Sequence, residues 1–305
     1  MPTSPSHAVS QHPNTTGNPS ITLTALMLLL SCTLSAIGAT EIQHRFLAAD
    51  ESRQQIHYIN QFDPAADWTI EFAGNRDLQL INSEHFLASF PGGYRSLSMA
   101  DGAIIKEVTV DGLKVTSALR LDNGHTIIGS GTVIVELDAM DQEVCRVSVP
   151  SQVFRLLRLT PAGHLIFGQD KRSMTVMAWN GDILHTLDLS AHAHIKYPYV
   201  AVHNDANHTF VATGYGGSVV EVDEQWAYVR TLDGQSGNPP IAMHFTGQLQ
   251  VLPNGNIIAC NWTGHGAQDS VGKTQLLEWN AQGDVVWQWS DSDRAGSIHG
   301  VAVIE

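Results

Sequence analysis

The chain has 305 residues, 43% hydrophobic and only 15% charged, with 26 Gly; this is the composition of a packed, turn-rich globular protein and excludes a disordered chain or a coiled coil. With 30 acidic against 16 basic residues the formal charge is −14, a field that repels phosphate backbones and anionic membrane surfaces. No run of basic residues in the sequence offsets it, so nucleic acid is not an expected partner.

Residues 1–40 contain no Asp, Glu, Lys or Arg and divide into a polar stretch and the apolar run Ile21 to Ala39. The run reads as a signal peptide, with small residues Ser35-Ala36-Ile37-Gly38-Ala39 suited to cleavage near Ala39. It approaches spanning length, so an uncleaved membrane anchor is the alternative. Leu29-Leu30-Ser31-Cys32 also resembles a bacterial lipobox, which would make the protein a lipoprotein anchored at Cys32. On each reading residues 41–305 form an exported domain, periplasmic or extracellular, that touches a membrane only through the N-terminal segment.

From His44 onward a unit recurs. HRFLAAD (His44), HFLASFP (His85), HTIIGSG (His125), HLIFGQD (His164), HTFVATG (His208) and NIIACNW (Asn256) align at intervals of about 39 to 48 residues, the period of propellers and repeat arrays. An apolar segment ending in a turn precedes most copies, as in LDNG from Leu121, LTPAG from Leu159 and VLPNG from Val251. A third alternating stretch follows, such as TVMAWNG from Thr175, and then a fourth, such as ILHTLDL from Ile183. Each unit is thus a meander of four short antiparallel strands, the composition of a propeller blade. The expected fold is an all-β, six-bladed β-propeller over residues 41–305.

The first unit starts at its second strand, and the chain finishes on the isolated apolar string HGVAVIE from His299. The two fragments complete one another: the C-terminal strand is expected innermost in the last blade, with three N-terminal strands outside it, leaving no open edge. On this reading the chain holds every strand its ring needs.

Cys145 falls on an outer strand and Cys260 on an inner strand of a different blade, too far apart for a disulfide. Both are expected as free thiols, and no Cys/His spacing signals structural zinc. The recurrent His44, His85, His125, His164 and His208 follow inner turns and are expected to be structural, bonding turn carbonyls. Trp287 and Trp289 are expected in packing between blades.

The string VLPNGNIIACNW from Val251, followed by LLEWNAQGDVVWQW from Leu276, resembles the blade signature of bacterial extracytoplasmic propellers of the quinoprotein-like (PQQ-like repeat) superfamily. The resemblance implies an exported bacterial propeller without fixing its chemistry, which sits on the loops of such folds. It does not extend to PQQ binding. Quinoprotein dehydrogenases are similar to eight-bladed versions with a repeated docking Trp and a vicinal Cys pair, whereas this chain has six repeats and no Cys-Cys.

Loops between blades, and between second and third strands, gather at one end of a propeller, where ligands bind. The longest here are Ser190–Tyr197, Asp233–His244, Thr263–Lys273 and Ser290–His299. They carry His192, His194, His244, His265 and His299 to one mouth, beside Trp262, Asp269, Lys273, Asp293 and Arg294. The candidate ligand-binding residues are His194, His244, Trp262, His265, Lys273 and His299. Three neutral imidazoles could hold a divalent metal, and the candidate set is His194, His244 and His299. No P-loop, dinucleotide fingerprint, nucleophile elbow or HExxH string occurs. Two functions are therefore expected to compete. One is a non-catalytic exported propeller binding a small molecule, glycan or protein partner at the mouth. The other is a propeller enzyme of lyase, lactonase or sulfuryl-transfer type using the mouth histidines, with or without a metal.

Overall fold

Short runs of β-branched and aromatic residues, each broken by Gly, Asn, Asp or Pro, can form only short strands and tight turns. The computed structural model describes residues 41–74, 76–149, 155–169, 171–191 and 195–304, and in these the runs make six four-stranded antiparallel sheets. The first blade pairs β24 (Ile298–Ile304) with β1 (Arg45–Asp50), β2 (Gln55–Asn60) and β3 (Trp68–Glu71). The second holds β4 (Leu78–Leu80), β5 (His85–Phe90), β6 (Gly93–Ser98) and β7 (Ile104–Thr109). The third holds β8 (Val115–Arg120), β9 (Thr126–Ser130), β10 (Val133–Leu137) and β11 (Glu143–Ser148). The fourth holds β12 (Arg158–Leu159), β13 (Leu165–Gly168), β14 (Ser173–Met177) and β15 (Ile183–Asp188). The fifth holds β16 (Val200–His203), β17 (Thr209–Ala212), β18 (Val219–Val222) and β19 (Tyr228–Leu232). The sixth holds β20 (Phe245–Val251), β21 (Ile257–Trp262), β22 (Leu276–Trp279) and β23 (Val285–Trp289). This is the six-bladed propeller that the repeat predicts.

The closure has the expected order, β24-β1-β2-β3. Arg45 pairs with Ile304, Phe46 with Val303 and Ala48 with Val301, and a bulge near Asp50 ends the ladder. Phe46 to Ala49 and Ile298 to Val303 are almost wholly buried, so a one-residue slip would turn the chain's most apolar faces the wrong way. Buried Asp50 locks the junction by accepting the Gly296 N–H (2.6 Å). Burial alone would raise its pKa, but hydrogen bonds from His57, Gly296, Ser52 and Arg53 outweigh it and keep the carboxylate ionised. The Arg53 guanidinium adds bonds to the carbonyls of Ser292, Asp293 and Arg294 (2.7–2.9 Å).

Apolar layers fill the spaces between blades. Trp287 and Trp289 pack with Phe46, Ile258, Val301 and Val303 between the sixth and first blades, and Trp289 meets Phe46 edge-on at 5.4 Å. Polar ties cross the axis. Gln248 bonds both backbone groups of Leu78 (2.6 and 3.2 Å), passing Gly300, where a Cβ would lie 2.9 Å from the Gln248 carbonyl oxygen. Fully buried Asp77 takes two bonds from Arg158 (2.6 and 3.1 Å) and one from Ser117 (2.6 Å), which joins the second, third and fourth blades. Cys145 and Cys260 are free thiols on β11 and β21; Cys32 and the apolar run Ile21 to Ala39 lie outside the described residues.

The recurrent histidines need a correction. Their partners are carboxylates of the third strand, not turn carbonyls: His125 meets Glu136 (2.7 Å) and His208 meets Glu221 (2.6 Å). Asn256 and His44 share Glu278 (2.6 Å each). The register is the reason. Ile127, Phe210 and Ile258 pair with Glu136, Glu221 and Glu278, and a residue two positions earlier on the strand shares that face. The copies at His85 and His164 face Ser96 and Val176 instead, so their rings have no such carboxylate.

Candidate functional site

Chain direction sets which loops meet at the mouth. Inner strands all start at the same end of the ring, so the segments entering β4, β12, β16, β20 and β24 lie there together. The turns after β1, β17 and β21 do too. Backbone bridges Lys196–Gly214 and Gly214–Thr246 knit three of these segments. Gly214 has φ +63° and no room for a side chain, since a Cβ would sit 2.2 Å from the Tyr197 carbonyl oxygen.

Four rings form the floor: Tyr199, Phe245, Trp262 and His299, all buried. His299 stacks on Tyr199 (5.1 Å, 22°) and lies tilted against Trp262 (5.1 Å, 33°), while Phe245 meets all three edge-on at 5.5–5.6 Å. Tyr215, His244 and His265 form an exposed rim. Tyr215 sits edge-on to Phe245 at 4.8 Å, and His265 edge-on to Trp262 at 4.7 Å. His244 lies 5.9 Å from both Trp262 and Tyr215.

Glu51, in the short turn after β1, is the hub. One carboxylate oxygen accepts from Arg76 (2.8 Å) and the other from the Trp262 indole N–H (2.8 Å). The second oxygen also lies 3.4 Å from His265 Nδ1 and 3.5 Å from His299 Nε2. Burial pushes the His299 imidazole well below the usual histidine range, and Arg76, Arg155 and His265 add to the effect. Glu51, already committed to Arg76 and the indole, does not reverse this, so His299 is neutral at pH 7. Burial likewise raises the Tyr199 phenol, opposed by Arg76 and Arg155.

Two features suit this mouth to a ligand. His299 Nδ1, the Tyr199 hydroxyl and Thr246 Oγ1 are buried with no protein partner, and buried polar atoms of this kind call for a bound group or water. Two cations rest on rim aromatics: Arg155 over Tyr197 (5.6 Å), and Lys196 over Tyr197 (5.7 Å) and Tyr215 (5.9 Å). Neither pairs with a carboxylate among the described residues. An acidic protein thus presents Arg76, Arg155 and Lys196 together at its axis, although no basic run marks them in the sequence.

Of the candidates read from the sequence, Trp262, His265 and His299 meet around Glu51 and His244 joins at the rim. His192 and His194 lie outside the described residues. Lys273 is exposed on the loop between β21 and β22 and, among the described residues, is bonded only through its backbone, to Ser270 (3.0 Å). Asp269 caps its own loop through the Gly266 N–H (2.8 Å), and Arg294 pairs with Asp67 and Asp291, so these serve structure. Among the described residues no group of three or more His, Cys, Asp or Glu side chains is arranged to hold a metal ion. Sequence reasoning missed Glu51, Arg76, Arg155, Lys196, Tyr199, Tyr215 and Phe245. Topology held the signal for Glu51: the β1–β2 turn must share a face with the loop after Trp262, however short it is.

No protein-family model matches the chain, and no curated protein matches it. Solved structures do. A protein of unknown function from Bacteroides caccae is similar with a TM-score of 0.73 and 19% identity, over 86% of this chain and 99% of that one. The WD40 β-propeller domain of Doa1 is similar with a TM-score of 0.55 and 14% identity, over 86% of this chain and 92% of that one. Virginiamycin B lyase from Staphylococcus aureus is similar with a TM-score of 0.54 and 10% identity, over 82% of this chain and 85% of that one. At these identities the likeness is one of fold, and the fold is the β-propeller.

Proposed function

We propose that this propeller binds a small anionic molecule carrying a flat apolar part. The carrying observation is the pair of cations Arg155 and Lys196, without a carboxylate partner among the described residues and seated on aromatics beside the buried Tyr199–Phe245–Trp262–His299 floor. Arg155 is half-buried and Lys196 exposed, and cations gathered at a concave mouth raise the local concentration of anions against a net charge of −14, while aromatic faces take the apolar part. The repeat's resemblance to extracytoplasmic bacterial propellers of the quinoprotein-like superfamily, with the apolar leader, supports an exported binding protein.

Calorimetric titration of residues 41–305 with benzoate and 4-hydroxybenzoate, against benzyl alcohol as the neutral control, tests this. Benzoate is expected to bind and benzyl alcohol is not, and R155A/K196A should weaken benzoate roughly tenfold to a hundredfold, as for loss of charge-assisted bonds. Equal binding of the neutral control, or an unaffected double variant, defeats the reading.

A second reading rests on His299, a neutral imidazole with an unpartnered Nδ1 beside Glu51. Such a group can accept a substrate proton, which is the requirement of elimination chemistry, and one structure of similar fold is named a lyase. Ligand recovered unchanged after prolonged incubation favours binding; conversion that disappears in H299Q favours the lyase.

A further inference from the structure

At the end of the ring opposite the mouth, a cavity of about 580 Å³ opens between the fourth and fifth blades, within the range that holds small ligands. Its walls come from the β12–β13, β16–β17 and β18–β19 turns and from β15. Around it stand four ring systems with nitrogens that no protein group satisfies among the described residues: His164, His185, His203 and Trp226.

Each is there for a separate reason. His164 occupies the repeat position where His125 and His208 are held by Glu136 and Glu221. In this blade the carboxylate is replaced by Val176, which lines the cavity, so the imidazole is left for the cleft. His203 bonds Thr209 through Nδ1 (3.0 Å), while Nε2 is buried and unpartnered. Burial lowers its pKa to about 4 and keeps the ring neutral. His185 stacks on Trp226 (4.9 Å, 21°).

Trp226 is the most telling. It holds the left-handed position of a turn closed by Asp223 and Ala227, with φ +64°. The same turn in the third, fourth and sixth blades places Asp141 (φ 60°), Gly181 (φ 92°) and Gly283 (φ 89°) there. Glycine adopts this backbone freely and Asp tolerates it, whereas a bulky aromatic does so only at a cost. Such strain persists where the side chain has a task, and it is characteristic of ligand sites. Here it carries the indole over the cleft, near His185 and His203.

We propose that this cleft binds one neutral sugar ring, its C–H face against Trp226 and its hydroxyls on the imidazoles of His164, His185 and His203. Burial holds His203 neutral, and a neutral imidazole offers both a donor and an acceptor, which suits a hydroxyl group. No Lys or Arg lines the cavity, so nothing there attracts an anion. Two carboxylates line the cavity, and both are engaged within their own turn: Asp223 Oδ1 accepts the backbone N–H groups of Gln225 and Ala227, and Glu224 Oε1 accepts from the Gln225 side-chain amide (2.6 Å).

The test follows the seven tryptophan indole N–H signals of the ¹⁵N-labelled propeller, residues 41–305, during titration with the methyl glycosides of glucose, galactose, mannose and N-acetylglucosamine. Tetramethylammonium is the cationic comparison. W226G identifies the Trp226 signal and is expected to fold, because Gly181 and Gly283 serve the same turn. At least one sugar should shift that signal saturably, in the millimolar range typical of small single sites. W226G, and H203F, which keeps a flat ring but removes both nitrogens, should each weaken it about tenfold or more, while R155A at the mouth leaves it unchanged. The inference is overturned if no sugar moves the signal, if tetramethylammonium moves it and sugars do not, or if H203F binds as well as the parent.

Discussion

Replacing Glu51 by Gln changes one charge and almost no volume, and the structure gives opposite signs for its two consequences. The carboxylate accepts from Arg76 through one oxygen and from Trp262 through the other, both at 2.8 Å. A Gln has one acceptor, so its NH₂ must face one of these donors. One bond is lost and the other loses its charge assistance. Charge-assisted bonds contribute about 1.5–3 kcal/mol each and neutral ones about half that. The Arg76 side chain is 38% exposed, which discounts its share. The net loss should be about 2 kcal/mol, or roughly 4–8 °C in Tm for a domain of this size. Urea melts at pH 7.5, read by tryptophan fluorescence, measure it. Over the same substitution the mouth loses a negative charge, so benzoate should bind severalfold more tightly at low salt, by about tenfold at most. A variant as stable as the parent, or one that binds benzoate more weakly, would refute Glu51 as the hub of this site.

D77A removes the fully buried partner of Arg158 and Ser117, and equilibrium denaturation should show a loss of about 3–5 kcal/mol, as when one member of a buried ion pair is deleted. At Gly247 a Cβ would lie 2.6 Å from the His299 carbonyl oxygen. G247A therefore has to push β20 from β24, at about 1–3 kcal/mol and with a changed near-ultraviolet signal from Trp262. Acid should weaken the fold through His299. Its folded pKa lies below that of the unfolded chain, so the unfolded state takes up the proton first. The contribution is intact above about pH 6.5 and declines below it by up to about 1.4 kcal/mol per pH unit. H299F should flatten that slope in urea melts between pH 7.5 and 5, and an unchanged slope excludes His299 as its source. His203, lowered to about 4, acts with the same sign, and H203F should flatten the slope between about pH 6.5 and 4.

The architecture was legible because periodic signals survive in a single sequence: turns repeat, strands alternate, and an unpaired end strand needs an edge. The site was legible only in part. Long loops pointed to Trp262, His265 and His299, but the residue that gathers them, Glu51, sits in a turn too short to attract notice. Arg76, Arg155 and Lys196 are scattered over 120 positions and become neighbours only because inner strands begin at one end. Of the recurrent histidines His44, His125 and His208 are held in the structural role expected of them, but their partners depended on strand register, which places Glu278, Glu136 and Glu221 beside them and Val176 beside His164.

The two strands that shut the ring run in opposite directions, with Arg45 opposite Ile304 and Asp50 near Ile298. The first and last strand residues of the propeller, Arg45 and Ile304, therefore sit side by side. A force that draws them apart loads the ladder at its Arg45–Ile304 end and ruptures its hydrogen bonds in succession, like a zip, instead of shearing all of them together. Stretched between its termini, this protein should open at low force in the first blade, after which the exposed flanks of its neighbours would yield in turn.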